Sequence, residues 1–195
     1  MEKRLHQSHE AGRLGRSFFD RPAIEVASSL LGTVMVRTTS GVVRRARIVE
    51  VEAYLGPKDL ASHASKSRTK RTDVMFGPAG IAYVYFIYGL HQMFNIITGP
   101  AGGAQAILIR AAEPLDGWEA DLSGPARFAR GFEITAADNR MDLAGNDIHF
   151  IIDPSDYRPR IRRSKRIGID YARHWKNRLL RFIDVSNPVA KRLRI

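Results

Sequence analysis

The sequence contains no cysteine. This excludes disulfides, thiolate zinc sites, iron–sulfur clusters and a cysteine nucleophile. No run of residues approaches the ~20 apolar positions that a membrane-spanning helix needs. Met1 to Gly15 is polar and mixed in charge, without the apolar core of a targeting peptide. A phosphate-binding glycine loop followed by Lys-Ser/Thr is missing, and so is a dinucleotide fingerprint. There is no helix-hairpin-helix element, internal repeat, heptad or low-complexity tract. The six histidines show no ligand spacing. His6-Gln7-Ser8-His9-Glu10 has a superficial likeness to a metal site but lies in a frayed lead-in. The expectation is a cytoplasmic protein with neither metal nor other cofactor.

What is abundant is positive charge, and its position is informative. The chain has 31 Lys and Arg against 20 Asp and Glu, a net +11. Residues 157–195 hold 13 of the basic residues and only 2 acidic ones, so this last fifth accounts for the whole net charge. Such asymmetry fits a polyanionic partner, most simply nucleic acid, and fits a solubilising basic tail equally well. A second, local basic patch is hidden by the neutrality of the rest: Lys66, Arg68, Lys70 and Arg71. At 195 residues and 44% hydrophobic composition the chain can bury a core as one domain. Nothing reads as a linker, so the expected boundaries are a flexible lead-in over 1–19 and a single domain over 20–195.

The pattern reads as α+β. Asp20 is positioned to cap a helix with Pro22 in its first turn, along which Ile24, Ala27 and Leu31 recur at helical spacing. Gly32 can stop that helix. Thr33 to Thr38 reads as a strand, Ser40-Gly41 as a turn, and Val42 to about Tyr54 as the second strand of a hairpin. A period of two places Ile48, Glu50, Glu52 and Tyr54 on one face. After a polar loop over 57–80, strands are expected at Ala82 to Tyr88, Phe94 to Thr98 and Ala106 to Ala112. Ser123 is expected to cap a short helix running to about Gly131. Asp147 to Ile152 reads as a strand, with weaker strand signals at Ile161 to Ile169 and Leu179 to Val185. The sum is a curved, mainly antiparallel sheet with peripheral helices.

Glu52 and Tyr54 are the first candidates for chemistry. They share a sheet face where Gly56-Pro57 ends the strand, which suits a carboxylate that activates water, although on these residues alone a solvent-facing glutamate is the commoner arrangement. Glu50 raises a two-carboxylate arrangement, but residues two apart on one strand are ~7 Å apart and point the same way, so they cannot flank a substrate. Tyr83, Tyr85 and Tyr88 fall within one short strand. Aromatics beside positive charge suit base stacking and intercalation, or an ordinary sheet core with its hydroxyls satisfied.

Glu50-Val51-Glu52-Ala53-Tyr54-Leu55-Gly56-Pro57-Lys58-Asp59, followed by Ala61-Ser62-His63, resembles the alkyladenine DNA glycosylase family (the eukaryotic-type 3-methyladenine DNA glycosylases). Further matches follow in order: Met75-Phe76, Tyr83 to Gly89, Asn95-Ile96, Ile107 to Ala111 with Glu113-Pro114-Leu115, Ser123-Gly124-Pro125, Arg166 to Ile169 and Leu180-Arg181-Phe182. The resemblance covers about residues 20 to 190. It implies an enzyme that flips alkylated or deaminated purines from double-stranded DNA and hydrolyses the glycosidic bond, as a monomer, without a lyase step. Glu52 is then the general base. Arg110 helps position the water and a phosphate, and Ile167 offers a backbone carbonyl to that water. Tyr54 and His63 sandwich the base, Tyr85 forms a third wall, and Asn95 crowds a guanine 2-amino group. Tyr88 is the intercalating wedge on a β-hairpin, with Leu90 at the secondary wedge position. Lys66, Arg68, Arg71 and Arg127 are the expected DNA-gripping cations. Two departures stand out. Only Leu115 to Leu122 separate Pro114 from Ser123, where mammalian members carry a longer basic insert, and Leu90-His91-Gln92 is less bulky than in some relatives. A non-catalytic nucleic-acid-binding domain of the same fold is the alternative, which the carboxylate at Glu52 disfavours. A hydrolase of free nucleosides fits poorly with the basic segment.

Overall fold

The computed structural model describes residues 12–87, 89–145 and 147–193. One curved antiparallel sheet carries the fold. Its strands are β1 (Val34–Thr39), β2 (Val42–Tyr54), β3 (Ala82–Ile87), β4 (His91–Thr98), β5 (Gln105–Pro114), β6 (Ile148–Ile151), β7 (Ile161–Ser164) and β8 (Arg181–Asp184). The order across the sheet is β3-β4-β5-β2-β1-β6, with β8 also paired to β2 and β7 to β8. Every pairing is antiparallel.

The long strand β2 organises the rest. Ser40 and Gly41 both have positive φ (49° and 79°), the conformation of a tight hairpin turn matched to strand twist, and this sets the β1–β2 register. Along one edge, β2 pairs first with β1 and then, from Glu50 to Glu52, with β8. On the other edge it pairs with β5, and the register slips on both sides of Glu50. This bulge breaks the period of two. Ile48 joins Val51 and Ala53 in the main core, whereas Glu50, Glu52 and Tyr54 take part in a separate polar cluster. The expected shared face of Ile48 with Glu50, Glu52 and Tyr54 is thereby corrected: β2 and β5 each carry one extra residue around Glu50, so the two slips cancel in register while the alternation of each strand shifts by one.

Among the described residues three short α-helices cover the sheet: α1 (Arg16–Phe19), α2 (Ala23–Leu30) and α3 (Pro125–Gly131). In α2 the core stripe is Ala23, Val26, Ala27 and Leu30, while Ile24 is 36% exposed, so the helical face is rotated from the Ile24–Ala27–Leu31 line. Pro22, not Asp20, precedes the first helical residue, and Asp20 instead closes α1. The N-terminus of α3 follows Gly124, whose φ of 155° few side chains tolerate; Ser123 donates its hydroxyl to Asp121 rather than capping. Phe94, Phe128 and Phe132 interlock beneath the sheet, with Phe128 and Phe132 ring centroids 4.9 Å apart. Part of the expected lead-in belongs to the fold. Leu14 and Phe19 are in the core, and the Leu14 amide bonds Phe150. Residues 1–11 lie outside the described residues.

The basic segment from 157 onward is not a tail. Strands β7 and β8 place it in the sheet, and the Tyr157 hydroxyl donates to Asp184. Arg47, bonded to Glu113 and Asp153, lies 4.1 Å from the Tyr157 ring. Among the described residues no helix is long and apolar enough to cross a membrane.

Gly56 fixes how β2 ends. Its φ is +86°, and a Cβ placed there would lie 2.3 Å from the Gly103 carbonyl oxygen. Gly56→Ala therefore meets both a backbone penalty and a steric one. It is expected to lose at least about 2 kcal/mol of unfolding free energy. A urea midpoint equal to that of the wild type would contradict this close approach.

Candidate active site

Just before that turn, β2 places Glu52 in a fully buried position (0% exposed). Both of its oxygens have partners. Oε1 accepts the Ile167 backbone N–H at 2.9 Å and faces Arg110 Nη1 at 3.2 Å. Oε2 accepts the Tyr54 hydroxyl at 2.9 Å. Burial pushes the Glu52 carboxyl above the ordinary carboxylate range and the nearby Glu50 charge adds to this, while Arg110, the Ile167 N–H and Tyr54 pull it back. The Tyr54 hydroxyl is pushed up in turn, first by burial and then by the Glu52 charge, so it stays a donor.

Arg110 is the hinge of a wider charge cluster. From β5 it gives Nε to Glu50 at 2.7 Å while facing Glu52 with Nη1. Desolvation works against its charge, and the two carboxylates outweigh it. Glu50, 1% exposed, also accepts Nε of Arg181 from β8. Glu50 is held by two arginines, on the same strand as Glu52 and away from the cleft lining, so it does not face Glu52 across a substrate.

Beside Glu52 opens a cleft of about 350 Å³. Tyr54, His63, Tyr83 and Tyr85 supply aromatic surface to it. The His63 and Tyr85 rings are 4.5 Å apart at 68°, and the Tyr83 and Tyr85 rings are 5.3 Å apart. His63 Nδ1 lies 2.9 Å from the Tyr83 hydroxyl, which holds the imidazole in place. Burial, with help from Arg71 and Lys66, lowers His63 to about 4, so its ring is neutral at neutral pH. Asn95 donates its amide to the carbonyls of Tyr83 and Met93, which fixes it in the wall. Arg110 and Ile167 complete the side nearest Glu52. Tyr54, Arg110 and Ile167 thus all touch both the cleft and Glu52, whereas Glu52 itself lies behind them.

Seven residues singled out from sequence therefore converge: Glu52, Tyr54, His63, Tyr85, Asn95, Arg110 and Ile167. For Ile167 the contact observed is through its N–H, to the carboxylate. Tyr88 lies outside the described residues. Leu90 sits at the β3–β4 turn, 75% exposed, with the half-exposed Phe86 on the same hairpin. Lys66, Arg68 and Arg71 are exposed on the segment that follows His63. Arg68 pairs with Asp73, and Arg71 lies over Tyr85 at 5.3 Å. Arg127, on α3, pairs with Asp121 just before that helix, and the first residue of α3, Pro125, lines the cleft.

The sequence reading assigns no role to Asp59, Arg166 or Arg181. Asp59 takes both guanidinium ends of Arg166 at 2.6 and 2.8 Å, and both side chains are 0% exposed. Arg166 also bonds the Ala53 carbonyl and lies 4.6 Å from the Tyr54 ring. This pair fixes the segment that carries Ile167 against β2. Two arginines of the basic segment are thus committed to the site rather than displayed at the surface. Their trace in sequence is their place in the matched segments: Asp59 just after the strand-ending turn, Arg166 beside Ile167, and Arg181 between Leu180 and Phe182. Among the described residues no three His, Asp or Glu side chains converge as a metal site.

Comparison with known proteins points to one family. A family model described as methylpurine-DNA glycosylase (MPG) matches residues 17–188. A protein of Anaeromyxobacter sp. (strain Fw109-5) is 46% identical over 92% of this chain and 93% of its own. One from Legionella pneumophila (strain Corby) is 44% identical over 90% of this chain and 96% of its own. One from Myxococcus xanthus (strain DK1622) is 45% identical over 83% and 84%. All three bear the name "Putative 3-methyladenine DNA glycosylase". A match over nearly the whole domain, on a chain whose cleft joins aromatic walls to an arginine-paired buried glutamate, places this protein in the methylpurine-DNA glycosylase family.

Proposed function

We propose that this protein is a monofunctional DNA glycosylase that removes alkylated and deaminated purines from duplex DNA, with Glu52 activating the attacking water. The observation that carries this reading is the aromatic cleft directly beside a buried carboxylate held by Arg110, Ile167 and Tyr54. A base inside a duplex is out of reach, so it must be extruded at a cost of a few kcal/mol. The β3–β4 hairpin exposes Phe86 and Leu90, apolar side chains suited to fill the gap, and the wedge role itself is assigned to Tyr88 on its sequence motif. Lys66, Arg68, Arg71, Arg127 and the exposed arginines of residues 157–195 supply sequence-independent grip on phosphates.

Electron-rich rings attract a cationic purine by stacking and cation–π contact. The neutrality of His63 matters here, because a charged imidazole would repel 3-methyladenine or 7-methylguanine. Asn95, fixed in the wall, crowds a guanine 2-amino group. With the nucleotide seated, water enters between Arg110 and Ile167. As the glycosidic bond breaks, its electron pair leaves with the base. The water oxygen bonds C1′ and its proton passes to Glu52, whose charge also stabilises the oxocarbenium-like state. An alkylated purine leaves readily without an added proton. No lysine lines the cleft among the described residues, which supports hydrolysis without a Schiff base.

The test is a panel of duplexes carrying one 3-methyladenine, 7-methylguanine, ethenoadenine or hypoxanthine. Free base is expected from damaged duplexes only, with the abasic strand intact until treated with alkali. Salt-sensitive DNA binding with no base released from any lesion would overturn this reading in favour of a non-catalytic DNA-binding domain.

A further inference from the structure

Glu50 lies outside the cleft and the mechanism above gives it no part. It is nonetheless among the most enclosed charges in the protein, and the way it is held is asymmetric. One oxygen, Oε1, accepts Nε of Arg110 and Nε of Arg181. Arg110 reaches Glu50 with Nε and so presents its far nitrogen, Nη1, to Glu52. A guanidinium is a rigid plane, so fixing Nε fixes where Nη1 can be. The anchor itself is fixed by backbone: Glu50 sits in the β2 bulge, opposite Ile183 of β8 and Ala111 of β5. Arg181 lies opposite Glu52 in the same ladder. Two carboxylates and two arginines from three strands thus form one closed cluster, with Arg110 as the member that also lines the cleft.

Resting on the reading that Glu52 is the base, we propose that Glu50 is a positioning residue: with Arg181 it clamps the Arg110 guanidinium so that one edge meets Glu52 and the cleft. Without the clamp, Arg110 is free to turn and pair more fully with Glu52. The base would then be over-neutralised and the water seat lost.

The bulge explains why a carboxylate is available for this. It turns Glu50 out of the apolar core, into which strict alternation from Ile48 would have directed it. Burying an ion pair is at best weakly stabilising. A four-charge cluster behind a catalytic group is better accounted for by the geometry it imposes than by stability.

The titratable and charged groups around Glu52 are Glu50 and Tyr54 from β2, Arg110 from β5 and Tyr85 from β3, with Arg181 of β8 behind Glu50 and Arg166 with Asp59 behind Tyr54. Removing Glu50 takes away a like charge and releases Arg110 toward Glu52, and both changes favour ionised Glu52. Removing Arg181 takes away a positive charge and leaves Arg110 drawn to Glu50, and both changes disfavour it. The experiment is the pH dependence of single-turnover release of 7-methylguanine, a cationic lesion that needs no added acid, in wild type, Glu50→Gln and Arg181→Gln. The acid limb is expected to move down by about one pH unit in Glu50→Gln and up by a similar amount in Arg181→Gln. The plateau rate of Glu50→Gln should fall at least about tenfold while its affinity for lesion DNA stays within about threefold. A merely structural role would lower stability and rate without moving the two limbs in opposite directions, and that result overturns the proposal. If either variant fails to fold, the double variant Glu50→Gln/Arg181→Gln, neutral overall, should fold with a wild-type limb and a lowered plateau; a wild-type plateau there also overturns it. An acid limb absent from wild type would instead refute Glu52 as base.

Discussion

Glu52→Gln is expected to lower single-turnover release of 7-methylguanine by at least about a thousandfold. The change is nearly isosteric. The glutamine oxygen can still accept the Ile167 N–H, and its amide can donate to the Tyr54 oxygen, so the local contacts survive. What is lost is the proton acceptor and the negative charge next to the developing oxocarbenium. Affinity for lesion DNA should remain within a few-fold of wild type, because Glu52 does not line the cleft. The check is a pair of measurements on the same duplex, base release and equilibrium binding. Retained release would remove Glu52 from the mechanism. Binding lost together with release, in a folded protein, would mean that Glu52 holds the cleft rather than performs the chemistry.

The largest effect on stability is expected at Asp59. Its oxygens hold both ends of Arg166 and also accept the backbone N–H groups of Leu55 and Ala61, each at 3.1 Å. Asp59→Ala removes four bonds and leaves a fully buried guanidinium without its counter-charge. Loss of one partner of such a pair costs about 3–5 kcal/mol. For a chain of this length that corresponds to a fall of about 10 °C in Tm. Activity should fall as well, because Arg166 and the neighbouring Ile167 position Tyr54 and Glu52. A calorimetric Tm within about 2 °C of wild type would show that the pair is replaceable.

Much of this site could be read from sequence because its central part is local. Glu52 and Tyr54 are two apart on one strand, and alternation alone puts them together. Tyr83 and Tyr85 of β3 share a face for the same reason. The hairpins follow from turn residues such as Ser40-Gly41. What alternation cannot foresee is where it stops. The irregularity at Glu50 adds one residue to each of β2 and β5, and Ile48 changes sides. Nor does local pattern reach across the chain. Asp59 and Arg166 are 107 positions apart, and Glu50 and Arg181 are 131 apart. In composition those arginines are simply part of a basic segment. Only folding shows that two of them are spent inside, against carboxylates from β2 and its turn, while their neighbours stay outside. The first reading of the net charge as surface grip is therefore too simple. The same segment supplies exposed cations and part of the active-site frame.

One measurement bears most directly on Glu52 as an ionised base in an enclosed site: the pH dependence of single-turnover release of 7-methylguanine by the wild type, above uncatalysed release. The rate is expected to rise with pH through a single ionisation. Its midpoint should lie above the value of about 4.3 usual for a glutamate, because burial raises the carboxyl. Residual release by Glu52→Gln should lack that ionisation. A wild-type rate that does not change from about pH 4 to 7, or the same limb persisting in Glu52→Gln, would contradict the assignment.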